Sequence, residues 1–167
     1  LPTTWNGAYH DTVLTSGNRL AIAYTESNAG DLRFALQDSP GAFSFTTYTV
    51  DTGGAGLYPG AGARMVESGG RLIIGYGMGG SGGTPSLYGL WMSVSSNLQP
   101  SSGAQWAQHQ AVVETNCGVD YSSMAKLGDH IGYAYTRGAP PANLRFARSL
   151  NALPIATGDW VATTVAS

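Results

Sequence analysis

The sequence predicts an all-β fold: a β-propeller of three four-stranded antiparallel blades, forming one domain over residues 1–167. Three observations lead there. One motif is written three times in the same order. Each copy splits into four short β-rich runs bounded by turn residues. The composition suits many strands and tight turns, with 24 glycines and only 11% charged residues, where roughly 25% is usual. Glycine supplies the positive φ that turns need, and no periodic run of strong helix formers interrupts the pattern.

The first landmark is Ser16-Gly17-Asn18-Arg19-Leu20-Ala21-Ile22-Ala23-Tyr24. It returns as Ser68-Gly69-Gly70-Arg71-Leu72-Ile73-Ile74-Gly75-Tyr76, and again as Leu127-Gly128-Asp129-His130-Ile131-Gly132-Tyr133-Ala134-Tyr135. The closing tyrosines stand 52 and then 59 residues apart. The second landmark is Leu32-Arg33-Phe34-Ala35, matched by Leu90-Trp91-Met92-Ser93 and Leu144-Arg145-Phe146-Ala147. The third is an aromatic residue opening a β-rich run at Phe45, Trp106 and Trp160. Chance in a Gly-rich chain could give one such match but not an ordered set.

These landmarks define blades at about 9–50, 58–113 and 121–166, the size of the repeats that build propellers. The expected strands are 10–15, 19–25, 31–36 and 45–50 in the first copy. They are 63–67, 71–77, 87–94 and 106–113 in the second, and 123–126, 130–136, 143–149 and 160–166 in the third. Ser16-Gly17-Asn18 is a good hairpin turn, and Ser27-Asn28-Ala29-Gly30 is a second turn signal. Turns this short imply an antiparallel meander. Leu72-Ile73-Ile74 is apolar throughout, as expected of a strand covered on both faces. A two-layer sandwich is the competing architecture, but it does not need a repeat.

Three blades cannot close a ring when propellers carry four to eight. The outer faces of the first and third copies would then lie bare, and soluble monomers rarely tolerate so large an apolar face. The expected partner is therefore the chain itself, as a two-fold dimer closing a six-bladed ring. The remaining blades of a longer chain, or a different half-ring, are the alternatives.

The order of motifs, from the Gly turn through "x-Leu-x-Ile-x-Tyr" and "Asp/Asn-Leu-Arg-Phe-Ala" to "Trp-x-x-x-x-Val", resembles the repeats of secreted bacterial β-propellers. Val50-Asp51-Thr52-Gly53-Gly54 with Leu57-Tyr58-Pro59 resembles the link between blades in such repeats. The resemblance spans nearly the whole chain and implies a fold, but propellers host lectins, glycosidases and protein scaffolds alike. The sialidase Asp-box, the Gly-His and Trp-Asp pair of WD40 repeats, and an Asp-x-Asp-x-Asp-Gly calcium loop are missing.

Arg33, Trp91 and Arg145 hold the same place in three third strands. Arg forks and indole faces grip sugars or partner proteins, so these residues could line repeated inter-blade sites. They could equally pack between blades, with Arg stems covering apolar surface. Trp106 and Trp160, like Phe45, are either packing aromatics or exposed sugar platforms. Trp5 could act likewise for a blade supplied by a partner. Tyr9, Tyr58 and Tyr121 each stand shortly before an expected first strand, where a propeller lines its channel.

Catalysis has weaker signals. A glycosidase needs two facing carboxylates about 5–9.5 Å apart; Asp11, Glu67 and Glu114 are the nominees, and nothing marks them out. His10, His109 and His130 show no metal-ligand spacing, so neither a metal nor another cofactor is expected. Gly77 to Gly83 is glycine-rich but precedes no helix, which argues against a phosphate cradle. Cys117 is the lone cysteine, so no internal disulfide can form. The net charge is −2 with Lys126 the one lysine, which argues against nucleic acid. No run reaches about 18 apolar residues, so no membrane-spanning helix is expected. The chain opens at Leu1 without a signal peptide, as a processed chain would. The sequence-level expectation is a non-catalytic, extracellular or cell-surface module that binds carbohydrate. A protein-interaction scaffold or a fragment of a propeller glycoside hydrolase are the alternatives.

Overall fold

The computed structural model describes residues 6–26, 30–54, 57–79, 88–114, 119–137 and 143–166. Cys117, Trp5 and most of the Gly-rich loop lie outside them. The described residues form three four-stranded antiparallel sheets, each a meander in chain order. The first is β1 (Asn6–Leu14), β2 (Leu20–Glu26), β3 (Asp31–Gln37) and β4 (Phe45–Asp51). The second is β5 (Tyr58–Ser68), β6 (Arg71–Gly79), β7 (Gly89–Ser95) and β8 (Trp106–Val113). The third is β9 (Val119–Leu127), β10 (His130–Arg137), β11 (Asn143–Ser149) and β12 (Trp160–Ala166).

The first strands begin earlier than the sequence suggests. Tyr58 opens β5 and Tyr121 lies within β9, so neither precedes its strand; Tyr9 likewise lies within β1. The reason is crowding at the centre. β5 packs against both β1 and β9 more extensively than any other pair across sheets, so the first strands are innermost. Close approach there favours small residues, and Pro59-Gly60-Ala61-Gly62 mimics a linker while pairing with β6 through two register shifts. A similar shift interrupts β1 between Asn6 and His10.

Alternation along each strand sends its residues to two neighbours. In the middle sheet, Leu72, Ile74 and Tyr76 face the first sheet, while Ile73, Leu90, Met92 and Val94 face the third. All are buried, as the apolar Leu72-Ile73-Ile74 run requires. The first sheet answers with Ala21, Ala23, Leu32, Phe34 and Leu36. The third answers with Ile131, Tyr133, Tyr135 and Ala147. Each blade therefore has a leading face, built on the Leu-x-Ile-x-Tyr positions, that takes the preceding blade. Its trailing face, built on the Leu-x-Phe positions, takes the next. Sheets stacked this way form two cores, one per junction, where a sandwich would have one. The fold is a β-propeller with three four-stranded blades in the chain.

One glycine is set by close approach. A Cβ on Gly75 would stand 2.4 Å from the Tyr133 ring, so the ring lies across bare backbone. Gly53 turns the link between the first two blades at φ 67°, and a Cβ there would meet Pro59 at 2.6 Å.

Candidate functional site

The three junction-facing outer strands carry the same lock twice. At the first junction the Trp106 indole donates to the Tyr48 hydroxyl at 3.2 Å, and Trp106 also packs on Phe34 with centroids 5.1 Å apart. At the second junction the Trp160 indole donates to His109 Nε2 at 3.2 Å. An indole nitrogen can only donate, so Nε2 is the acceptor and the proton of neutral His109 sits on Nδ1. Trp106 and Trp160 are buried, and their faces are taken by the neighbouring blade. The structure gives them the packing role and leaves no exposed sugar platform on them.

A second lock joins a carboxylate of one blade to the second-strand tyrosine of the next. Tyr76 donates to Asp51 at 2.6 Å, and Tyr135 donates to Glu114 at 2.7 Å. Arg145 adds its guanidinium to Glu114 at 3.4 Å. Burial is the main force raising the pKa of both phenols, and the adjoining carboxylate raises each further. They remain protonated donors. Trp91 packs into the core between the first two blades. Arg33 faces away from the second blade and pairs with Glu26 of its own sheet at 3.2 Å. Arg33, Trp91 and Arg145 thus share one register position, but the structure does not bring them together. Two lie inside junctions and one on an open face.

The nominated acids are also engaged. Asp11 accepts from the backbone amides of Thr12 and, across the junction, Met65 at 2.9 and 2.8 Å. Glu67 accepts from the Ser16 amide at 2.7 Å. Glu114 is the junction lock already described. Among the described residues no group of three or more His, Cys, Asp or Glu is placed to hold a metal ion, and no helix is long and apolar enough to cross a membrane.

Tyr9, Tyr58 and Tyr121 lie near the starts of the three first strands, one per blade, and are 37%, 49% and 78% exposed. Tyr58 is seated against Gly30 of the preceding blade, where an added Cβ would meet its ring at 2.6 Å. Deeper in, Arg64 ties all three first strands together. It donates to the carbonyls of Ser122 at 2.9 Å, Ala63 at 2.7 Å and His10 at 3.5 Å. Sequence reasoning missed Arg64, because its role rests on three strands meeting and leaves no local signature.

Three four-stranded meanders stacked face to face, with their first strands innermost, define a β-propeller. Among solved structures the chain is similar to the α-L-arabinofuranosidase from Lactobacillus brevis, with a TM-score of 0.62 and 12% identity. The match covers 93% of this chain and 52% of that one. It is also similar to the xylan β-1,4-xylosidase from Bacillus halodurans C-125, with a TM-score of 0.56 and 11% identity, covering 96% of this chain and 31% of that one. The chain thus spans about half or less of the length of these neighbours. No protein-family model matches it, and no curated protein matches its sequence.

Proposed function

We propose that the chain is the sugar-receiving part of a propeller of glycoside-hydrolase type, and not a free-standing lectin with repeated inter-blade sites. The observation that carries this is the set of three exposed tyrosines, one near the start of each blade's first strand, in a fold shared with an arabinofuranosidase and a xylosidase. Tyrosine presents a flat apolar face and a polar tip, which suits the C–H face and hydroxyls of a sugar ring. The inter-blade positions a repeating lectin would use are filled with packing residues, which is why the lectin reading is set aside. Asp11, Glu67 and Glu114 serve structure here, so the chain's contribution is binding and orientation of the sugar. The neighbours' activities point to pentose polymers, arabinan or xylan, as the ligand class.

Affinity electrophoresis in arabinan and xylan tests this. The chain should be retarded by one of them, and Tyr58→Ala or Tyr121→Ala should weaken retardation about tenfold, the effect expected when ~1.4 kcal/mol is lost, with the circular dichroism spectrum unchanged. Free migration in both polysaccharides would refute the proposal. Turnover of an aryl arabinofuranoside that is abolished by Asp11→Asn would move the role from binding to catalysis.

A further inference from the structure

At both internal junctions the loop between third and fourth strands crosses to the preceding blade, and it does so on one frame. Residues 96–105 and 150–159 are equal in length. The Ser95 and Ser149 hydroxyls donate to the carbonyls of Asn97 and Asn151 at 2.6 and 2.7 Å. The side chains of Asn97 and Asn151 accept from the amides of Gln99 and Leu153 at 2.7 and 3.0 Å. Those of Gln105 and Asp159 accept from the amides of Ser101 and Ile155. Pro100 and Pro154 match, and both are buried. What changes is the tip, which is Gln99 and Ser101 at the first junction and Leu153 and Ile155 at the second. Leu153 lies against Gly69 of the preceding hairpin, where an added Cβ would meet it at 3.3 Å. Gln99 stands beside Gly17 in the same way. Seating the loop therefore does not require polar side chains at its tip.

The polar tip borders a pocket of about 250 Å³, lined by Arg19, Leu36, Thr46, Gln99, Pro100 and Ser101. Arg19 precedes β2, Leu36 lies near the end of β3 and Thr46 near the start of β4. The pocket is thus at the end of the blades opposite Tyr9 and Tyr58, and both blades that build it belong to this chain. At the second junction the matching Arg71 also borders a pocket, about 190 Å³, but no tip residue lines it. Arg19 is held from two sides, Nε donating to the Gln37 carbonyl and NH1 to Gln99 Oε1 at 3.0 Å. Gln37 is itself buried and engaged, accepting from the Leu20 amide and donating to the Ala42 carbonyl. Two neutral acceptors fix this guanidinium, where Arg33 and Arg145 hold carboxylates. Asp38, beside it, accepts from the Thr46 hydroxyl at 2.8 Å. The NH2 group of Arg19 and the Nε2 group of Gln99 keep their donors. We propose that this pocket binds a hydroxylated carboxylic acid of one-ring size, of the hexuronic acid class, with its carboxylate on Arg19 and Gln99. A guanidinium fork matches a carboxylate. The Thr46 and Ser101 hydroxyls meet the acid's own hydroxyls, and the buried Leu36 and Pro100 meet its C–H face. The volume falls short of the roughly 300 Å³ at which pockets for drug-sized ligands begin, which suits a single ring.

Titration of the intact chain with sodium glucuronate, followed by heteronuclear NMR at constant ionic strength, tests this. The Arg19 Nε–H and Gln99 side-chain signals should shift and saturate at millimolar ligand. Glucose, which lacks the carboxylate, should leave both in place, and acetate, which lacks the ring, should bind about tenfold more weakly. Gln99→Leu combined with Ser101→Ile copies the second junction's tip. That variant should stay folded with Tm unchanged and lose about tenfold in affinity. Arg19→Lys keeps the charge without the fork, and should weaken binding likewise. Signals that stay in place up to tens of millimolar glucuronate would overturn the proposal. So would an equal response to glucose or to acetate, or a folded tip variant that binds as tightly as the wild type.

Discussion

The two internal junctions are built to one plan from different residues. At the first, Tyr48 accepts the indole of Trp106 and Asp51 accepts the phenol of Tyr76. At the second, His109 accepts the indole of Trp160 and Glu114 accepts the phenol of Tyr135, with Arg145 alongside. The positions repeat and the chemistry does not. A propeller junction requires an acceptor, a carboxylate and a filled core, and several residue types meet each need. The consequence is that the junctions should fail under different conditions.

The largest difference should come from the carboxylates. Glu114→Ala strands a buried phenol and a mostly buried guanidinium, and should cost about 3 kcal/mol in urea unfolding. Asp51→Ala removes the acceptor of Tyr76 and of the Gly53 amide without leaving a charge, and should cost nearer ~2 kcal/mol. Equal losses would mean that Arg145 takes no part. Packing comes next. Tyr133 at the second junction stands where Ile74 stands at the first, and Gly75 accommodates it where Ala23 would not. Gly75→Ala should cost about 1–3 kcal/mol by overpacking. Adding Tyr133→Ile should recover part of that loss, and strictly additive effects in the cycle would dismiss the compensation.

Acid should weaken the second junction first. Burial lowers the pKa of His109, with Asp159 opposing less strongly. A histidine whose folded pKa lies below its unfolded value gives stability that is whole above about 6.5 and declines as pH falls towards the folded value. A protonated Nε2 could no longer accept from Trp160. Unfolding free energy should therefore drop by up to ~1.4 kcal/mol per pH unit below that point, and His109→Tyr, which copies the first junction, should flatten the slope. Tyr48 is raised to about 12, mainly by burial, so the first junction's acceptor stays neutral throughout this range. The smallest effect is expected from the indole bonds themselves, with Trp106→Phe and Trp160→Phe each costing about 1 kcal/mol.

The repeat made most of this architecture legible from the sequence. The strands expected at 71–77 and 106–113 form as Arg71–Gly79 and Trp106–Val113, because the repeated apolar run and the aromatic landmark are local signals. The innermost strands did not, since the crowding that selects Gly60, Ala61 and Gly62 also imitates a turn. The site was less legible. Arg33, Trp91 and Arg145 share a register position, yet which face each one meets depends on whether a blade precedes it. The tyrosine–carboxylate locks join residues 25 and 21 positions apart, Asp51 with Tyr76 and Glu114 with Tyr135. That near-constant offset was visible in the sequence once the tyrosines were aligned. Glu114 is one of three carboxylates nominated with nothing to mark it out, and its partners Tyr135 and Arg145 show that a buried acid at a blade end can serve a junction.

The paired-face arrangement can be tested by nuclear Overhauser contacts from the two indole rings in solution. Trp106 should show contacts to Phe34 and Tyr48, and Trp160 to His109 and Met92, with none between Trp160 and Phe34. Contacts from Trp160 to Phe34, or indole protons exchanging as freely as those of an exposed tryptophan, would contradict a radial stack of blades.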